Sequence, residues 1–202
     1  ETTFTKGLYN SFKGKEIVYS PCIFPWYAAK LKRSDLVIRM AYIASALKSD
    51  EKIDEICNIL SDSDPDERSY IVRLLLIHPQ TDTQRKALTS ALCDKSEMTR
   101  KQAYAIVCNT ELCPENYLQM EEMLRYKAAD ARANLINLLC TQSDSDLYGS
   151  VQRLINDKKE EKRTAALDII MQTGKDEKRT DLFDKCRELV SNISEPTTKE
   201  KI

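Results

Sequence analysis

The sequence predicts an all-α protein, a right-handed α-solenoid of about five helical hairpins, and three observations carry that expectation. Turn formers are scarce, with four Gly and six Pro in 202 residues. Apolar residues recur at helical rather than alternating spacing. Most decisively, four segments align without gaps around an arginine: residues 60–75, 92–107, 124–139 and 155–170. The arginines are Arg68, Arg100, Arg132 and Arg163, at steps of 32, 32 and 31 residues. A single hairpin of that length cannot bury both of its apolar faces, so successive hairpins must stack into a continuous core.

Taken in order, residues 1–33 read as a divergent N-terminal cap, residues 34–193 as the repeat array and residues 194–202 as a polar tail or linker. In the cap, Phe24, Pro25, Trp26 and Tyr27 depart from the repeat pattern. Ser34 or Asp35 is expected to cap a helix carrying Leu36, Val37, Met40, Ile43 and Leu47. A partner helix follows with Ile53, Ile56 and Leu60, and Arg39, 29 residues before Arg68, takes the place of the repeated arginine in this degenerate first unit. After each of the four aligned arginines, the third, fourth, sixth and seventh residues are apolar or aromatic, as in Ile71, Val72, Leu74, Leu75 and in Leu135, Ile136, Leu138, Leu139. That spacing makes one wide apolar helix face. Between these helices lie second ones: Leu88, Ala91 and Leu92; then Leu118, Met120, Met123 and Leu124; then residues 147–155 and 182–190. Pro114 stands at a first-turn position, and Asp82 and Asp144 or Ser145 are candidate N-caps.

Composition excludes several classes. With 31 Lys and Arg against 32 Asp and Glu the chain cannot hold nucleic acid by bulk attraction. The longest uncharged stretch, between Glu16 and Lys30, is broken by Pro21 and Pro25, so no membrane span is expected. The seven cysteines, Cys22, Cys57, Cys93, Cys108, Cys113, Cys140 and Cys186, are odd in number and scattered through apolar helical patterns. They are read as reduced core residues of a cytoplasmic protein. Zinc wants paired thiolates or several histidines, whereas the closest cysteines, Cys108 and Cys113, have four residues between them and His78 is the one histidine. No metal or other cofactor is expected.

Catalytic patterns are missing as well. His78, followed by Pro79, reads as a helix terminator. Gly7, Gly14, Gly149 and Gly174 form no phosphate cradle, and neither a nucleophile elbow nor HExxH occurs. Residues 50–67 hold eight carboxylates against one lysine, yet lack the glycine-centred geometry of a calcium loop and read as a solvated, cap-rich face. The basic N-terminal residues Lys13, Lys15, Lys30, Lys32 and Arg33 leave two readings open, a nucleic-acid patch with Trp26 and Tyr27 or attraction to that acidic stretch. The chain begins without Met and ends in a polar run, which reads as a piece of a longer protein.

The run of leucine, any residue, aspartate, then arginine and an apolar face resembles the HEAT repeat, particularly the HEAT-like form named after phycobilisome lyases. The resemblance covers residues 35–190; the last two units are also similar to the helical-repeat portion of large bacterial proteins of unknown function. It implies a structural ladder along an armadillo-like stack. Here aspartate and arginine stand six apart in Asp62 and Arg68, Asp94 and Arg100, and Asp157 and Arg163. The carboxylate caps backbone N–H groups and the guanidinium bridges it to a neighbour. Before Arg132 the aspartate is replaced by Tyr126, so either Asp130 substitutes or the ladder is broken there. Such arrays include alkylpurine DNA glycosylases, but the single tryptophan, Trp26, lies outside the repeats and no basic stripe is present.

The resemblance further implies that the arginine-bearing helices line the concave side. Two residues after each arginine stand Tyr70, Gln102, Asn134 and Ala165, and five after stand Arg73, Ala105, Asn137 and Asp168. This near-neutral, amide-rich row suits a polypeptide better than a phosphate backbone. The expected function is a monomeric, non-enzymatic scaffold binding a protein or peptide through Tyr70, Arg73, Gln102, Asn134 and Asn137. The alternative is a regulatory or substrate-presenting arm of a larger bacterial enzyme.

Overall fold

A computed structural model describes residues 2–11, 16–19 and 29–191. Phe24, Pro25, Trp26, Tyr27, Cys22, Lys13, Lys15 and the 194–202 tail therefore lie outside the described residues. The described chain is helical, with eleven α-helices, apart from one two-stranded antiparallel hairpin. No helix among the described residues is long and apolar enough to cross a membrane. The chain divides into two compact units, residues 1–110 and residues 111–202.

In the first unit α1 (Thr2–Ser11) precedes the hairpin of β1 (Glu16–Tyr19) and β2 (Ala29–Lys32), paired in the register Glu16 to Lys32 and Tyr19 to Ala29. Then come α2 (Arg33–Leu47), α3 (Asp50–Ile59), α4 (Pro65–Leu75), α5 (Asp82–Ala91) and α6 (Glu97–Val107). Helices α2, α4 and α6 pack in succession, α3 packs on α5, and α1 lies on α2. The apolar stripe explains this layering: Leu36, Val37 and Met40 of α2, Ile71, Val72 and Leu75 of α4, and Ala103, Ile106 and Val107 of α6 are all buried.

The second unit comprises α7 (Pro114–Met123), α8 (Ala129–Leu139), α9 (Asp144–Ile155), α10 (Glu160–Thr173) and α11 (Thr180–Ser191). Helix α8 packs on α7 and α10, and α9 packs on α7, α10 and α11. Its core is built from Leu135, Leu139, Leu147, Leu154 and Ile169, all fully buried. Leu167, expected in that core, is half-buried. Gly174 follows α10, where an added Cβ would come 2.8 Å from the Phe183 ring of α11.

Several local expectations are corrected. The N-caps are Thr81 rather than Asp82, and Ser143 rather than Asp144 or Ser145; each hydroxyl accepts the backbone N–H three residues on. Helix α2 is capped at Lys32, whose backbone N–H donates to the Asp35 carboxylate at 2.7 Å. Pro114 does open α7, behind Cys113. Among the described cysteines Cys186 is buried, Cys57, Cys93, Cys113 and Cys140 are half-buried, and Cys108 is exposed, so they are not uniformly core residues. Burial still pushes the thiols of Cys57 and Cys140 up to about 12 and about 11, which leaves both protonated at neutral pH.

Candidate functional site

The repeated arginines do two separable jobs. Arg68 holds Asp94 with two bonds, Nε to Oδ2 at 2.6 Å and Nη2 to Oδ1 at 3.0 Å, while its Nη1 donates to the Ser63 carbonyl. The pair is mostly withdrawn from water, with side chains 11% and 14% exposed. Arg100 donates from Nη1 to the carbonyls of Asp94 and Lys95 at 2.8 and 3.1 Å, and Arg163 does the same to Asp157 and Lys158 at 3.0 and 3.1 Å. Each guanidinium thus closes the turn before its own helix. The aspartates cap the following backbone, Asp94 accepting from the Ser96 N–H at 2.8 Å and Asp157 from the Lys159 N–H at 2.9 Å.

The expected Asp62–Arg68 pair within one unit gives way to pairs between neighbouring hairpins. Arg68 reaches forward to Asp94, whereas Asp62 takes the Tyr9 hydroxyl and, at 3.3 Å, the Arg33 guanidinium. Arg33, not Arg39, therefore fills the arginine's place in the first hairpin: Arg33, Ser34, Leu36 and Val37 align with Arg68, Ser69, Ile71 and Val72, and Arg39 is exposed. Asp157 pairs at 3.0 Å with the buried Lys162, which also holds Glu122 at 2.5 Å. The Lys159 N–H and Lys162 keep the Asp157 carboxyl below its ordinary range. Burial alone would lower the Lys162 pKa, but its bonds to the two carboxylates outweigh it and raise the net value. At the Tyr126 departure, Arg132 turns to α10, meeting the Asp168 carboxylate at 2.8 Å and the Glu161 carbonyl at 3.2 Å.

Of the basic N-terminal residues Lys13, Lys15, Lys30, Lys32 and Arg33, Lys32 pairs with Asp64 at 3.2 Å and Arg33 with Asp62 of the acidic stretch; Lys6, outside that set, pairs with Glu55 at 2.6 Å. His78 is exposed beyond the end of α4, and no group of three metal-ligating side chains occurs among the described residues.

The expected binding residues fall in both units. In the first, Tyr70 and Gln102 are half-buried and Arg73 is exposed; the Arg73 guanidinium lies 5.4 Å from the Tyr70 ring centroid. In the second, Asn134 is half-buried and Asn137 is exposed, while Ala165, of the same row, is fully buried. Asn137 lines a groove of 570 Å³ between α8 and α10, with Ala129, Ala133 and Ile136 along one wall and Met171 and Lys175 along the other. Arg132 and Asp168 bound it, and the Gln172 side-chain amide donates across it from Nε2 to the Asn137 side-chain Oδ1 at 3.1 Å. Met171 is 64% exposed. Sequence reading missed Met171 and Gln172 because both fall beyond the aligned segment, one turn past Asp168.

Residues 3–202 match the Family of unknown function (DUF5724). The chain belongs to that family. The match spans both units of this DUF5724 protein and all of its described helices but the first residue of α1. No curated protein matches it.

Proposed function

We propose that this DUF5724 chain is a non-enzymatic, HEAT-like scaffold that binds a polypeptide along its arginine-bearing helices. The observation that carries the reading is the α8/α10 groove, where a paired amide, Asn137 with Gln172, spans the two helices between the apolar wall of Ala129, Ala133 and Ile136 and the exposed Met171. An amide offers both a donor and an acceptor, the complement of a peptide bond, and thioethers adapt to varied side chains. Support for a solenoid of about five hairpins comes from the successive packing of α2, α4 and α6, of α8 on α10, and from the arginine that closes the preceding turn in three hairpins.

The test is random-peptide display panned on the whole chain, followed by affinity measurement with an Asn137→Ala, Gln172→Ala double variant. Enriched peptides should bind the variant about tenfold more weakly, the loss of one to two polar contacts. Peptides that bind both proteins equally would place the contact elsewhere, and a screen that enriches none would refute polypeptide binding.

A further inference from the structure

Helices α2 and α4 share a cluster that the repeat architecture does not use. Tyr42 of α2 is 51% exposed, and its ring meets that of Tyr70 on α4, centroids 5.7 Å apart and planes tilted by 48°. Arg73 lies one turn after Tyr70 and Arg39 one turn before Tyr42, so each tyrosine has an arginine neighbour on its own helix face. Both arginines are exposed. Among the described residues neither has a carboxylate partner, whereas Arg33, Arg68 and Arg85 of the same unit each pair with an aspartate. The Arg73 guanidinium carbon lies over the Tyr70 ring, 5.4 Å from its centroid and within cation–π range, a contact that uses none of its N–H donors.

We propose that Arg39, Tyr42, Tyr70 and Arg73 form a subsite selective for an acidic polypeptide segment, with its Asp or Glu carboxylates on the two guanidiniums and its backbone or apolar side chains against the two rings. This deepens the polypeptide-binding reading and rests on it. Charge complementarity selects the occupant: two unsatisfied cations stand beside aromatic surface, in a chain whose other arginines in this unit are already bonded. A nucleic-acid strand would need a longer cationic track than two side chains in a protein of net charge −1. Tyrosine and arginine are also the residue types that anchor protein interfaces.

The experiment is fluorescence anisotropy of the whole chain with three labelled peptides of equal length, Glu/Asp-rich, Gln/Asn-rich and Lys-rich, and with a single-stranded DNA of the acidic peptide's charge. The acidic peptide should bind about tenfold tighter than the neutral one, as two exposed charge contacts would give, and the margin should shrink as salt rises. An Arg39→Gln, Arg73→Gln double variant should lose that margin while keeping its circular dichroism, and Lys95→Gln should keep both. Equal binding of acidic and neutral peptides, a margin that survives the double variant, or tighter binding of the lysine peptide or the DNA would overturn the subsite while leaving polypeptide binding intact. Failure of every peptide to bind would overturn both.

Discussion

Arg68 and Arg33 hold the same place in successive hairpins, yet water reaches them differently. The Arg68–Asp94 pair is bidentate and largely enclosed, whereas the Arg33–Asp62 side chains are 45% and 33% exposed. Asp94→Ala is therefore expected to cost about 1.5–3 kcal/mol in urea denaturation, through a lost charge-assisted bond and an orphaned guanidinium, while Asp62→Ala costs about 1 kcal/mol or less. Equal losses would mean that enclosure does not set the strength of these pairs. In the second unit, Leu135→Ala should cost about 2–5 kcal/mol, Asn134→Ala little, and Leu167→Ala an intermediate amount. The apolar face was legible because four arginines set its register; in the first hairpin the register slipped because Arg39 also precedes apolar residues, and the shared Arg-Ser pair at 33 and 68 was the signal that would have fixed it.

At the scale of elements, α1 shows what local sequence leaves out. Its run of Thr2, Thr3, Thr5 and Gly7 is a poor helix former, so tertiary contacts hold it: Lys6 on Glu55, and Tyr9 between Asp62 and the Arg33 guanidinium, 4.5 Å from its ring. The Lys6 bond, then Lys52, keeps the Glu55 carboxyl below its ordinary pKa despite some burial. That contribution is present above the unfolded carboxylate pKa and fades as pH falls through the folded one. Burial, then Asp62, raises the Tyr9 pKa, so its contribution is present at neutral pH and is lost only as pH rises through that raised value. Glu67, raised by burial and by Asp35 and Asp64, has the opposite acid response, its protonation relieving the start of α4. Hydrogen exchange should therefore show α1 loosening in acid before α4 does; simultaneous loss would assign the effect to global unfolding. Gly174→Ala should cost about 1–3 kcal/mol by displacing Phe183, and a neutral result would mean that α11 yields freely. Caps were misplaced by one residue because Thr81 and Asp82, or Ser143 and Asp144, are all capable acceptors, and backbone geometry decides between them.

For the whole molecule, the division at residues 110 and 111 predicts that damage stays local: Leu135→Ala should raise amide exchange within residues 111–191 and leave α4 and α6 protected. Exchange rising throughout would show a single cooperative unit. Periodicity revealed the helices but not where binding chemistry gathers, because the α8/α10 groove depends on how two helices separated by α9 come side by side. The turn-closing arginines carry a last consequence. Arg100 and Arg163 reach back to the carbonyls five and six residues earlier, so each works as a ruler that fixes the length of the link entering its helix. The links without such an arginine vary more, from residues 48–49 between α2 and α3 to residues 76–81 between α4 and α5. Length variation is thus channelled into the other set of links, such as the one between α4 and α5, and extra residues grafted there should be borne far better than a single residue inserted between Asp94 and Arg100.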